Sequence, residues 1–373
     1  MKLSYLATAL AAAIVIPATA SAATVYKNDT TTLKIGGRVE VRGNLSDNNQ
    51  DNGQGSRYND ASRVRLSFEG TQKLNDDVTF VGKYENEITQ KTDAGSDDTA
   101  INTRYLFAGV DTTYGNITYG NQDNATTYLT NFSDMAETFS GYNNEYNNAT
   151  KDRSKNTLRY EFATGKLNVQ VSGNFNANNN ASGAGAMAAY KLTDNLELAI
   201  AGAYSDQGYG KTNTSITNTP TYDLNGVENG YTSTSTTTST GDTANNTAGL
   251  MGVKYTNGGL WLAATYQGGQ MAGTNGNGQT FTDVNYNATD AYAGYAFGKN
   301  NVDMTYSYYN ADGSDLSNYD INFIGVEYAR YVGNAAFYTS YKFNLLDDSS
   351  HSDSTQMGDN TDNEFQFGMR YSF

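Results

Sequence analysis

From Leu33 onward the chain alternates. Leu33, Ile35, Val39 and Val41 share one parity, and Lys34, Arg38, Glu40 and Arg42 share the other. A period of two marks an extended strand with one apolar face. The pattern recurs at Val64, Leu66 and Phe68 against Arg63, Arg65 and Glu69, and at Val78, Phe80 and Tyr84 against Lys83, Glu85 and Glu87. A fourth strand over 103–111 sets Tyr105 and Phe107 opposite Arg104. Further strands are predicted over 116–121, 156–163, 167–175, 186–192, 196–204, 249–255, 259–266, 291–297, 302–308, 323–329, 335–343 and 364–373, sixteen in all.

The connections alternate in length. Asn75 to Asp77, Thr112 to Gly115, Thr164 to Lys166, Thr193 to Asn195, Thr256 to Gly258, Gly298 to Asn300 and Arg330 to Gly333 are short. The others are mostly longer and acidic. One of them, Ser205 to Thr247, is rich in Thr, Ser and Asn and reads as an exposed and mobile loop. Short turns at one end and long loops at the other describe a membrane barrel. A soluble β-sandwich also has period two, but it leaves unexplained the charged row on strand after strand. The expected fold is all-β: a 16-stranded antiparallel transmembrane β-barrel. A barrel of that size is too wide for side chains to fill, so it holds an aqueous channel.

Composition agrees. Hydrophobic residues make up 38% and mean hydropathy is −0.62, yet there are 30 Tyr, 15 Phe and 38 Gly. Many aromatics with low hydropathy fit a wall with one apolar and one wet face. After the first residues no run reaches the length of a membrane-spanning helix. Those first residues resemble an export signal: Lys2, an apolar run from Leu6 to Ile16, Pro17, and Ala20-Ser21-Ala22 as a cleavage site. Residues 1–22 are therefore expected to be removed, leaving 23–373 as one barrel domain. Without Lys2 the 24 basic and 39 acidic side chains become 23 and 39, a net charge of −16.

Little points to covalent chemistry. There is no cysteine, and the single histidine, His351, sits among Asp and Ser near the C-terminus. That excludes a zinc constellation. His351 with Asp353 is the one candidate for an outer-membrane hydrolase, and a lone His in a polar loop is more simply solvated surface. Asp47 to Gly53 hints at a calcium loop, but its glycine is one place late and Tyr58 stands where the bidentate Glu belongs. No catalytic residue, cofactor, metal or nucleic-acid partner is expected. Trp261 falls on the inward parity near the turn end and reads as packing or rim.

The stretch Asn121 to Arg153 is too long for a turn and lacks the period of a helix. A loop of that length in a compact protein is a candidate functional element. Arg38, Arg65, Arg104 and Arg153 all lie on the polar parity, where tilted neighbouring strands can stack them into one ladder.

Several segments resemble the trimeric general porins of Gram-negative outer membranes. V-R-L-S-F-E-G at Val64 to Gly70 resembles that family's A-R-L-G-F-K-G, and N-T-R-Y-L-F-A-G-V at Asn102 to Val110 its K-T-R-L-A-F-A-G-L. S-D-M-A-E-T-F-S-G at Ser133 to Gly141 resembles the constriction segment T-D-M-L-P-E-F-G-G, and terminal Phe373 matches the family's last strand. The resemblance implies an inward-folded third loop whose acids face basic residues of the wall. Asp134 falls on the loop aspartate. Glu137 lies one place before the family's glutamate, with Thr138 at the matched place and the family's proline absent. Arg65, Arg104 and Arg153 fall on wall arginines, and Arg38 stands where the family has a lysine. Lys83, Glu85, Glu87 and Arg159 read as ordinary hydrated lining.

The expected function is a water-filled outer-membrane channel for passive diffusion of ions and small hydrophilic solutes, cation-preferring because of the net charge and acidic loops such as Asp347-Asp348 and Asp359 to Asp362. The alternative is a channel specific for sugars or oligosaccharides. Expected partners are outer-membrane lipid, lipopolysaccharide and the solutes; a homotrimer is implied by the resemblance alone.

Overall fold

The computed structural model describes residues 22–49, 56–93, 96–145, 152–175, 182–222, 228–274, 280–312, 320–346 and 362–373. Residues 1–21, on which most of the expected export signal falls, and His351, Asp347, Asp348 and Asp359 lie outside the described residues.

Alternation dictates the elements. Short β1 (Ala23–Lys27) leads into β2 (Thr31–Ser46), and three-residue β3 (Tyr58–Asp60) adds to β2. Then come β4 (Arg63–Lys73), β5 (Val78–Asp93), β6 (Ser96–Thr112), β7 (Gly115–Asp123), β8 (Arg153–Ala163), β9 (Leu167–Asn174) and β10 (Ser182–Lys191). The circuit continues through β11 (Leu196–Tyr222), β12 (Glu228–Asn257), β13 (Leu260–Thr274), β14 (Thr280–Phe297), β15 (Asn300–Asp312), β16 (Ile321–Val332), β17 (Ala335–Asn344) and β18 (Glu364–Ser372). Setting aside β1 and β3, sixteen strands form one antiparallel ring. It closes where β18 pairs with β2, from Glu364↔Ser46 to Ser372↔Arg38. Phe373 extends the seam: its N–H donates to Gly37 O at 3.0 Å, and Gly37 N–H donates to Phe373 O at 2.9 Å.

The two faces separate as the alternation predicts. Val41 is 56% exposed, Ile200 66% and Phe367 43%, whereas the neighbouring Glu40 is 1% exposed. In a membrane protein an apolar row open to the outside is the lipid face, and the charged row lines the lumen.

Two expectations are corrected. The Ser205 to Thr247 segment is not a loop. Its described residues continue the strands, paired from Ser205↔Asn246 to Tyr222↔Glu228. Its threonines are β-branched and favour extended backbone, which a reading based on polarity alone overlooks. Tyr105 and Phe107 do not face away from Arg104. The register shifts between Glu85↔Tyr105 and Asn86↔Thr103, leaving Arg104 as the extra residue of a bulge. A bulge lets consecutive side chains share a face. Tyr105 therefore points inward with Arg104, its ring packs on Phe107 at 6.2 Å, and Leu106 is exposed to the outside.

Close approach fixes glycine at Gly120. Its φ is +141°, and a Cβ there meets the Leu106 carbonyl. Gly120→Ala is expected to lower unfolding free energy by about 1–3 kcal/mol, read as a reduced urea midpoint in lipid vesicles. Gly165→Ala, where a Cβ meets nothing within 4 Å, should shift it by no more than about 0.5 kcal/mol.

Candidate functional site

The long connection after β7 turns into the barrel. Thr127–Thr130 forms one helical turn and Tyr142–Glu145 a 3-10 turn. Apolar contacts seat the near end of the loop. Ala125, Leu129 and Phe132 are buried against Met187, Ala189, Ala199, Ala248, Leu250 and Ala263 of the wall. Gly252 leaves the space: a Cβ there would lie 3.2 Å from Leu129 and 3.3 Å from Phe132. Trp261 packs on the same cluster and donates from Nε1 to Phe132 O at 3.1 Å. Lys254 lies 4.2 Å from the Phe132 ring centre and pairs with Glu197 at 2.9 Å.

The loop tip is held by polar contacts with the far wall. Buried Glu327 of β16 accepts hydrogen bonds from Glu137 N (2.9 Å), Thr138 N (3.1 Å) and Thr138 Oγ1 (3.0 Å). Thr138 Oγ1 also lies 2.6 Å from Ser340 Oγ. Asp290 of β14 accepts from Asn143 N at 2.8 Å. These carboxylates satisfy loop N–H groups that would otherwise be buried without partners. Phe139, at φ 45°, packs edge-on against Phe323 where Gly325 leaves room.

Loop and wall enclose an open cavity of about 550 Å³, and all six nominated residues line it: Arg38, Arg65, Arg104 and Arg153 on the wall, Asp134 and Glu137 on the loop. Their situations differ. Asp134 is exposed to the lumen and accepts from Ser140 Oγ at 2.8 Å. Its carboxyl lies over Gly141, whose φ is +81° and whose Cβ would collide with it. Glu137 is 5% exposed and forms a bidentate pair with Arg370, Nη2 to Oε1 at 2.7 Å, while its Oε1 accepts from Tyr331 Oη at 3.2 Å. Arg42 Nη2 donates to the Glu137 carbonyl at 2.7 Å. Glu137 thus ties the loop to the wall, whereas Asp134 presents charge to the passage.

Arg42, Arg63 and Arg370 complete the basic wall. They were legible as inward parity but were not nominated. The arginines are interleaved with carboxylates. Buried Glu40 binds Arg63 at 2.5 Å, Arg42 at 3.0 Å and Arg38 at 3.4 Å, and accepts from Tyr338 Oη at 2.6 Å. Arg65 pairs with Glu87, and Arg104 with Glu85 at 2.9 Å. Glu85 and Glu87, read from the sequence as plain lining, are therefore counter-ions of the ladder. Arg153 pairs with Asp152 and stands 5.6 Å from the Tyr105 ring centre. Burial pushes the Asp152 carboxyl up from its ordinary range, against the pull of Arg153. At the mouth, Asp47 of the Asp47–Asn49 turn pairs with Arg57.

A sequence profile described as Gram-negative porin matches residues 7–373. The chain belongs to the Gram-negative porin family. Porin-like protein L of Photobacterium profundum is 31% identical over 392 residues, covering all of both chains. Outer membrane protein U of Vibrio parahaemolyticus is 28% identical over 388 residues, again with full coverage. Among solved structures, a Salmonella typhi OmpF complex with daunomycin superimposes with a TM-score of 0.72 at 21% identity, covering 93% of this chain and 99% of that one. A trimer form of OmpT from Vibrio cholerae gives a TM-score of 0.67 at 15% identity, covering 92% and 100%. This porin is an outer-membrane β-barrel with a passive channel function.

Removing the loop's grip has a calculable direction. Glu137→Gln leaves the Arg370 charge buried without its partner, a change that typically costs about 3–5 kcal/mol. In planar bilayers the variant should show more frequent transient closures and noisier open current than the parent. Gating indistinguishable from the parent would show that the pair does not hold the loop.

Proposed function

We propose that this porin is a general diffusion channel whose third loop sets the passage for ions and small hydrophilic solutes. The observation that carries the reading is a cavity lined by Asp134 and Glu137 on the loop and by Arg38, Arg65, Arg104 and Arg153 on the wall, with Glu137 holding the loop to Arg370. Opposed charges across a narrow lumen create a transverse field. A polar solute orients its dipole in that field, whereas an apolar one must displace ordered water. Transport is diffusive and involves no covalent step, so the reading is non-enzymatic.

Cation preference is part of the proposal. Arginines outnumber acids around the cavity, but each of them has a carboxylate partner: Glu40 for Arg38, Arg42 and Arg63, Glu87 for Arg65, Glu85 for Arg104, Asp152 for Arg153 and Glu137 for Arg370. With the ladder partly compensated, seven arginines against these five carboxylates, the surplus negative charge of the chain biases the passage toward cations. The sugar-specific alternative has less support. Such a channel needs open aromatic faces, and the aromatics on the cavity are Tyr105, bound to Asp123 at 2.9 Å, and buried Phe139.

The proposed mature chain is residues 23–373 after removal of residues 1–22. The proposed assembly is a homotrimer in contact with outer-membrane lipid and lipopolysaccharide; the trimer form of the Vibrio cholerae OmpT relative in fold supports it.

Single-channel recording tests these points together. Closure in three equal steps is expected, with a cation-preferring reversal potential in a KCl gradient. Asp134→Asn should move the reversal potential toward anions. An unchanged potential would remove Asp134 from the selective region, and anion preference in the parent would sink the cation reading.

A further inference from the structure

The lumen arginines are all paired, but Arg330 is different. It stands on the outward parity of β16, in step with Ile324, Val326, Tyr328 and Val332, and it is exposed. Among the described side chains of β13 to β18, no other charged residue shares the lipid-facing parity. Its Nη1 donates to Asn300 Oδ1 at 3.1 Å, an acceptor shared with Tyr328 Oη at 2.8 Å. No carboxylate among the described residues pairs with it. A guanidinium offers five N–H donors, so most of its capacity faces the membrane.

An open groove of about 550 Å³ begins beside it and crosses β16, β17, β18 and β2. Val41, Tyr328, Phe337, Thr339, Phe367 and Met369 line it. The register explains the depression. Small Thr339 lies between Tyr328 on one side and Phe367 on the other. Arg330 precedes the Gly333 turn by three residues, about 10 Å of strand. Short turns mark the periplasmic end of such barrels, so Arg330 sits at headgroup depth of the inner leaflet with the groove extending into the hydrocarbon.

We propose that this is a binding site for one phospholipid of the inner leaflet, with its phosphate on the Arg330 guanidinium and an acyl chain along the groove past Thr339. The anionic headgroup supplies the counter-charge that the protein does not. The site is separate from the channel and does not depend on the selectivity reading.

The test is native mass spectrometry of the intact protein extracted in mild detergent and supplied with phosphatidylglycerol. The parent should retain one lipid per chain. Arg330→Gln should weaken retention about tenfold, the expected effect of losing a charge-assisted hydrogen bond. Thr339→Trp, which fills the groove, should also release the lipid. Unchanged single-channel conductance verifies folding of each variant; if Thr339→Trp does not fold, Arg330→Gln decides alone. Equal retention by the parent and Arg330→Gln would overturn the site, as would equal retention of uncharged diacylglycerol. Loss of chain–chain association in Thr339→Trp with lipid still bound would assign the groove to a second copy and overturn the proposal.

Discussion

Inside a bilayer no water reaches the backbone, so every N–H and C=O at membrane depth must find a protein partner. The rest of this structure follows from that constraint. It forbids a free sheet edge, and the chain answers by pairing its last strand with its first spanning strand and tying Phe373 to Gly37. Closing sixteen strands then leaves a lumen too wide to pack. The third loop must in turn fold into that lumen without leaving its own backbone groups unsatisfied. Wall carboxylates meet that need: Glu327 and Asp290 accept from loop N–H groups where hydrocarbon side chains could not.

The same logic makes the lumen dense in charge without making it strongly one-signed. Guanidiniums as close as Arg38 and Arg65, which face each other across β2 and β4, repel unless carboxylates stand between them. Glu40 is the hub on one side and Glu87 on the other. Almost wholly shut off from solvent, Glu40 is met by the guanidiniums of Arg38, Arg42 and Arg63. The ladder is therefore a mixed lattice, and its field is set by which carboxylates are buried among the arginines and which are exposed to the passage. Asp134 and Glu137, three positions apart on one loop, differ in burial: the Glu137 side chain is buried against Arg370, and Asp134 is exposed.

Much of the fold was legible because strand parity is a local signal. Leu33 to Arg42 and Glu364 to Phe373 display it directly, and the short turns give the register. The misreadings came where the local signal was absent or broken. Ser205 to Thr247 is rich in Thr, Ser and Asn, so its sequence has no amphipathic alternation to detect. At Arg104 a bulge resets the parity, and only pairing with β5 reveals it. In the site, motif resemblance led to six residues that share one cavity. It did not reach Arg370, because the contact with Glu137 joins positions far apart in the chain.

Glu137 shows why a shifted motif need not mean a different architecture. The loop lacks the family's proline, and its glutamate stands one place early, which on a strand would point the side chain to the other face. A loop tip has no such parity. Here Phe139 and Gly141 adopt left-handed φ, and just before them Glu137 meets Arg370 while Thr138 takes the contacts with Glu327 and Ser340. What constrains the tip is the wall: a buried guanidinium that needs a carboxylate, and a buried carboxylate that needs N–H donors. Any loop sequence that supplies both in reach can dock there. The spacing of acids in the loop is therefore a weaker guide to the passage than the inward residues of β16 and β18 that receive them.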